Sequence, residues 1–189
     1  MKKSILLFLI TAIIAGILGI KTAPVFYLYS SSVKDTRMPK EELFNFVNEN
    51  QIPLENAVTF ISQFEKEYPN VKTFERDETG AIVATGFGQP IQISHQSICQ
   101  LFKEQKLRSI TVSENYLDFY CGGYGLGSAT GYTGFYYTRS GRIEDFDHVG
   151  KTKFEYNGST QWTYKEPNGD NTVLIEFITG DFFYYSAEF

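Results

Sequence analysis

Cys99 and Cys121 are the two cysteines of the chain, 22 positions apart, and they open three chemistries. In an exported protein two thiols invite a disulfide. Cys99 falls on an expected helix and Cys121 at the end of an expected strand. A helix packed on the strand pair that follows it can bring such positions within bonding range. A bridge closing a loop of this size is worth about 3 kcal/mol in chain entropy. Two buried free thiols are the plain alternative. The third reading is a nucleophile, because His95 and Cys99 stand i, i+4 and share a helix face. A thiolate needs a polar, accessible setting, and Cys99 borders an apolar stripe, which argues against catalysis.

Carboxylates are the next candidates. Glu144, Asp145, Asp147 and His148 crowd the segment RIEDFDH and offer oxygen and nitrogen ligands. The spacing misses the calcium-loop pattern, which requires a glycine at the sixth position and a distant glutamate. A solvated acidic turn is therefore expected, with no metal and no cofactor. Asp118, Asp145 and Asp147 are the acids a hydrolase would draw on, since glycosidases need two carboxyls flanking a cleft. The stretch Gly122–Gly131 (GGYGLGSATG) has the look of a phosphate cradle, yet it leads into a strand and carries no Lys or Arg. Phosphate-binding loops need the helix N-terminus that supplies backbone donors. The stretch is expected to be an irregular connection, a recognition loop at most, with Tyr124 and Tyr132 as contact residues.

Aromatic side chains make up 16% of the sequence, and ten of the thirteen tyrosines lie from Tyr116 onward. Runs such as Phe135-Tyr136-Tyr137, Trp162-Thr163-Tyr164 and Phe182–Tyr185 alternate faces if they are strands. One face then enters the core and the other meets solvent or a cover. An exposed aromatic face marks an interaction site, so Tyr124, Tyr132, Tyr136, Trp162 and Tyr164 are the candidate binding residues.

These residues need a scaffold, and the pattern supplies one. Pro39-Lys40-Glu41-Glu42 opens a helix, with proline and carboxylates suited to a first turn. Pro53 begins another, whose Leu54, Ala57, Val58, Ile61, Phe64 and Tyr68 form one apolar stripe. Strands are expected at Val71–Arg76 and Ala81–Thr85, and a third helix from Ser94 to Gln105. The period then switches to two, with strands at Ser109–Ser113, Tyr116–Cys121 and Tyr132–Thr138. Ile143–Val149 has no clear pattern. A closing meander is expected over Lys153–Tyr156, Gln161–Lys165, Thr172–Ile178 and Phe182–Ala187, with Asn157-Gly158 as a hairpin turn. Helices first and strands later argue α+β: a helical hairpin and one further helix packed on a curved antiparallel sheet meander.

Ahead of this lies an uncharged apolar run, Ile5–Ile20, behind Lys2 and Lys3. Ser4–Ile20 meets the lower limit for a transmembrane helix, roughly 17 residues. The small-x-small cleavage pattern of a secretory signal is poor, since Lys21 and Pro24 flank Ala23. Val25–Tyr29 adds aromatics suited to the membrane interface. The reading is a signal-anchor over residues 1–29, a polar linker over 30–38 and one extracytoplasmic domain over 39–189. The positive-inside rule leaves that domain outside the inner membrane of a single-pass protein. A cleaved signal would instead make it a secreted or periplasmic effector or inhibitor. All 22 acidic residues but only 14 of the 17 basic ones follow residue 30, a formal charge of −8. Such a domain does not attract phosphate backbones, so nucleic acid is disfavoured. The expected partners are the membrane, through residues 4–20, and a protein or an envelope glycan. The sequence reads as a binding or accessory domain without evident catalytic machinery.

Overall fold

The computed structural model describes residues 35–86, 88–103, 106–126, 129–146, 153–158 and 160–189. The apolar run Ile5–Ile20, Asp147 and His148 lie outside them. Among the described residues no helix is long and apolar enough to cross a membrane.

The fold is α+β. Helix α1 spans Lys40–Glu49 and buries Leu43, Phe46 and Val47, with Glu41 and Glu42 in its first turn. Asn50 ends it by giving both its backbone N–H and its side-chain amide to the Phe46 carbonyl, at 3.1 and 2.9 Å. Helix α2, Gln51–Glu67, follows at once and buries Leu54, Ala57, Val58 and Ile61. Pro53 sits in its first turn, where the missing N–H would have had no partner in any case. Helix α3, Gln96–Lys103, starts two residues later than its pattern suggested and buries Ser97, Ile98, Leu101 and Phe102.

The described strands join in one antiparallel sheet in the order β3-β2-β1-β4-β5-β6-β10-β9-β8-β7. In chain order they are β1 Val71–Arg76, β2 Ile82–Gly86, β3 Ile91–Gln92, β4 Ser109–Val112, β5 Tyr116–Leu126, β6 Ala129–Thr138, β7 Glu155–Tyr156, β8 Gln161–Lys165, β9 Thr172–Thr179 and β10 Phe182–Glu188. A one-turn 3-10 helix, Ile143–Asp145, lies between β6 and β7. Register fixes which side chains share a face. Tyr184, Phe135, Phe119, Ile110, Phe74 and Ala84 stand opposite one another in sequence across six strands. All six are buried, and they form the floor of the main core with Leu43, Phe46, Leu54 and Ile61 from the helices. Each fully buried side chain of this kind contributes roughly 1.5–3 kcal/mol.

The glycine-rich stretch is not an irregular connection. Most of it belongs to the two longest strands: β5 runs to Leu126, β6 starts at Ala129, and Gly123, Tyr124 and Gly125 pair with Tyr132, Gly131 and Thr130. The glycines serve close approach. A Cβ on Gly131 would lie 2.3 Å from the Tyr124 ring, and one on Gly123 would lie 2.5 Å from the Gly131 carbonyl. Among the described glycines of the stretch only Gly122 has a positive φ, +153°, at a bulge between Tyr120 and Gly122.

The expected Cys99–Cys121 disulfide is not formed; both thiols are free. Cys121 is buried in the main core, its sulfur 3.5 Å from the Phe119 carbonyl. Cys99 is half-buried on α3, its sulfur 3.8 Å from the Ile93 carbonyl. Each sulfur is thus turned toward a carbonyl of its own neighbourhood rather than toward the other.

Candidate functional site

The face of the sheet turned away from the helices carries a second aromatic core. Alternation along the strands sends Tyr116, Asp118 and Tyr120 of β5 to this side. With them come Tyr132, Gly134 and Tyr136 of β6, Phe183 and Tyr185 of β10, Ile175 and Phe177 of β9, and Trp162 and Tyr164 of β8. Tyr136, Phe146, Val173, Ile175, Phe183, Tyr185 and Ala187 are buried together, with Tyr116, Trp162, Tyr164 and Phe189 packed around them.

What covers this core is the segment after β6. Asp145 ties it down: its carboxylate accepts hydrogen bonds from Thr138 Oγ1 at 2.6 Å and from Ser140 Oγ at 2.7 Å. Thr138 Oγ1 in turn accepts the Arg142 backbone N–H at 3.1 Å. That fold-back lays Phe146 on the sheet, with its ring stacked on Tyr136 at 4.4 Å and tilted against Tyr185 at 4.6 Å. The Tyr136 hydroxyl donates to the Ile143 carbonyl at 3.3 Å. Tyr136, a candidate contact residue from the sequence, is fully buried under this cover.

Beside it lies a buried acid. Asp118 is 7% exposed and accepts a hydrogen bond from the Tyr185 hydroxyl. Burial pushes its carboxyl up to about 7, against the opposing pull of that hydrogen bond. Burial and the neighbouring carboxyl hold the Tyr185 phenol well above its usual range. Burial also raises the Cys121 thiol, so it stays protonated and unreactive. Of the three acids a hydrolase would draw on, Asp147 lies outside the described residues. Asp118 is buried beneath the face, and Asp145 is committed to Thr138 and Ser140. Among the described residues, no three His, Cys, Asp or Glu side chains converge as a metal site. His95 stacks on Phe60, ring centroids 4.2 Å apart, while the Cys99 sulfur turns to Ile93, so the pair does not form a nucleophile–base couple.

The remaining candidates divide between two places. Tyr124 lies on the helix side at the far end of β5. The Arg37 guanidinium sits 4.4 Å above its ring, and its hydroxyl donates to Glu188. Tyr132, 37% exposed, stands on the opposite side of the same end, 6.1 Å from Tyr120 and 6.0 Å from Phe189. Trp162 and Tyr164 lie on β8, half-buried at the margin of this aromatic core. Tyr156 (61% exposed) sits 5.5 Å from Trp162, and Phe177 (37% exposed) sits 5.6 Å from Phe183. Tyr156, Trp162 and Phe177 therefore form an open aromatic strip over β7, β8 and β9. Tyr156 and Phe177 were not singled out from the sequence. Their only signal was alternation, and alternation does not say where a cover ends. Comparison with protein-family models, curated proteins and solved structures returns no match for this chain.

Proposed function

We propose that this protein is a single-pass, membrane-tethered binding domain displayed outside the cytoplasm, and that its partner docks on the open strip of β7–β9. The observation that carries the reading is the partial exposure of Tyr156 and Phe177 on either side of Trp162, on a face whose central part is packed under Phe146. Large aromatics left on a rigid sheet give contact area at low entropic cost. The acidic charge of the domain favours a partner that is not polyanionic. The uncharged run Ile5–Ile20 supports the tether, and the lysines before it support the outward orientation.

The test is photo-crosslinking in intact envelopes. A benzophenone side chain replaces Tyr156 in the full chain, and the same group at exposed Lys72 serves as control. A discrete adduct at position 156, lost on Trp162→Ala, is expected. Equal labelling at both positions would overturn the strip as the binding surface. Mass determination of the purified chain reads the tether separately, since a start near Pro24 would make the domain a released one.

A further inference from the structure

The residues that lead from the apolar run into the domain are pinned to one end of the sheet. Thr36 gives its backbone N–H and its hydroxyl to the Gly123 carbonyl, at 3.1 and 2.9 Å. The Gly123 N–H returns to the Thr36 hydroxyl at 3.3 Å. Arg37 holds Asp35 at 2.7 Å and Glu188 at 2.5 Å while its guanidinium covers Tyr124. This is the β5–β6 hairpin end. It also carries Tyr120, Tyr132 and Phe189, with Tyr132 at 37% exposure. The opposite end is marked by the β9–β10 turn, where Gln51 bonds Thr179 at 3.2 Å.

Five residues, 30–34, separate the aromatic run ending at Tyr29 from Asp35. Fully extended they reach about 17 Å. Tyrosine and phenylalanine suit the headgroup layer, where one side of a ring is apolar and the other wet. At this end Asp35 and Glu188 are both paired with Arg37, while the β1–β2 and β8–β9 turns at the same end carry the exposed acids Asp77, Glu78 and Asp170, so the lipid surface it can approach is a neutral one.

We propose that the β5–β6 end is the membrane-facing end of the domain, seated on the lipid surface through Tyr132, Tyr120 and Phe189. The proposal rests on the tether reading above. The contact is aromatic rather than electrostatic, so it does not require anionic lipid.

The full chain, carrying Trp162→Phe to remove its one tryptophan, is reconstituted in phosphatidylcholine vesicles. Tryptophan is then placed by Tyr132→Trp, by Phe189→Trp, or by Ile52→Trp at the opposite end, where Ile52 is 72% exposed. Brominated phosphatidylcholine is expected to lower the emission of the first two at least twofold and to leave the third unchanged. Flotation of the vesicles reads the tether alone. Protein that floats but is quenched at neither position 132 nor 189, or equally at 52, overturns the orientation. Protein that does not float overturns the tether and the orientation together. The two tryptophan positions at the same end keep the test open if one variant does not fold.

Discussion

Tyr185 reaches the carboxyl of Asp118 by lying across Gly134. Tyr185 pairs with Gly134 on β6, and Asp118 lies on β5, the next strand over. A Cβ on Gly134 would meet the Tyr185 hydroxyl at 2.8 Å and the Phe119 carbonyl at 2.4 Å. The missing side chain is thus what lets a phenol from one strand satisfy an acid two strands away, inside a face that excludes water.

The pair makes stability depend on pH in a definite direction. The Asp118 carboxyl rises from 3.8 to about 7 on folding, because burial disfavours its charged form. Its contribution is therefore fully present below about pH 4. It is lost as pH climbs to about 7, by roughly 4 kcal/mol at the alkaline end. Asp118→Asn removes that slope. Urea midpoints at pH 4.5 and pH 8 should show the variant gaining relative to the parent only at the higher pH. A parallel pH dependence in both proteins would mean that Asp118 titrates normally.

The helices and most strand positions were legible because their signals are local. Pro39, Glu41 and Glu42 mark the start of α1, and Gln161–Lys165 alternates polar and aromatic residues between its turns. The glycine stretch misled because glycine serves two ends. It allows positive φ, and it also leaves room for a neighbour. Only the strand register shows that the rings of Tyr124 and Tyr185 fill the space above Gly131 and Gly134. The binding strip was half legible. Alternation put Tyr136 and Trp162 on one face, but which of them stays accessible depends on Phe146 folding back from another part of the chain. Nothing near Tyr136 in sequence encodes that cover except Thr138, Ser140 and Asp145, which read as an ordinary polar turn.

The thiols give a simple readout. In the detergent-solubilised full chain, a thiol reagent such as DTNB should titrate one cysteine in the native state, the half-buried Cys99, and two after denaturation. Cys121, buried and held protonated, should wait for unfolding. Cys99→Ser should abolish the native signal. A native protein with no reactive thiol, and a mobility shift on reduction, would establish the bridge instead.

Gly122 controls the entry strap. A Cβ there would lie 2.1 Å from the Thr36 carbonyl, at a φ of +153°. Gly122→Ala should release residues 35–37 from β5 and speed tryptic cleavage after Arg37 at least tenfold. Gly80→Ala is the control: its φ is +85° but open space surrounds it, so it costs about 1 kcal/mol of strain and leaves Arg37 protected. Equal cleavage in both variants would show that global stability, not the strap, governs access.

Phe146 couples the cover to the buried acid beneath it. The ring is 1% exposed and rests on Tyr136, which pairs with Asp118, and on Tyr185, which hydrogen-bonds it. Truncating a buried phenylalanine costs roughly 3–5 kcal/mol, so Phe146→Ala should lower the urea midpoint sharply at every pH. A second effect follows from geometry. With the ring gone, water reaches the Asp118–Tyr185 pair, desolvation weakens, and the Asp118 carboxyl moves back toward its ordinary range. The loss of stability between pH 4 and pH 7 should then flatten in Phe146→Ala, and more weakly in Phe146→Leu, which keeps most of the cover. Asp145→Asn provides an independent route to the same outcome, because it weakens the hydrogen bonds from Thr138 and Ser140 that hold the segment down. If all three variants are destabilised but keep the full pH slope of the parent, Phe146 packs the face without keeping Asp118 dry.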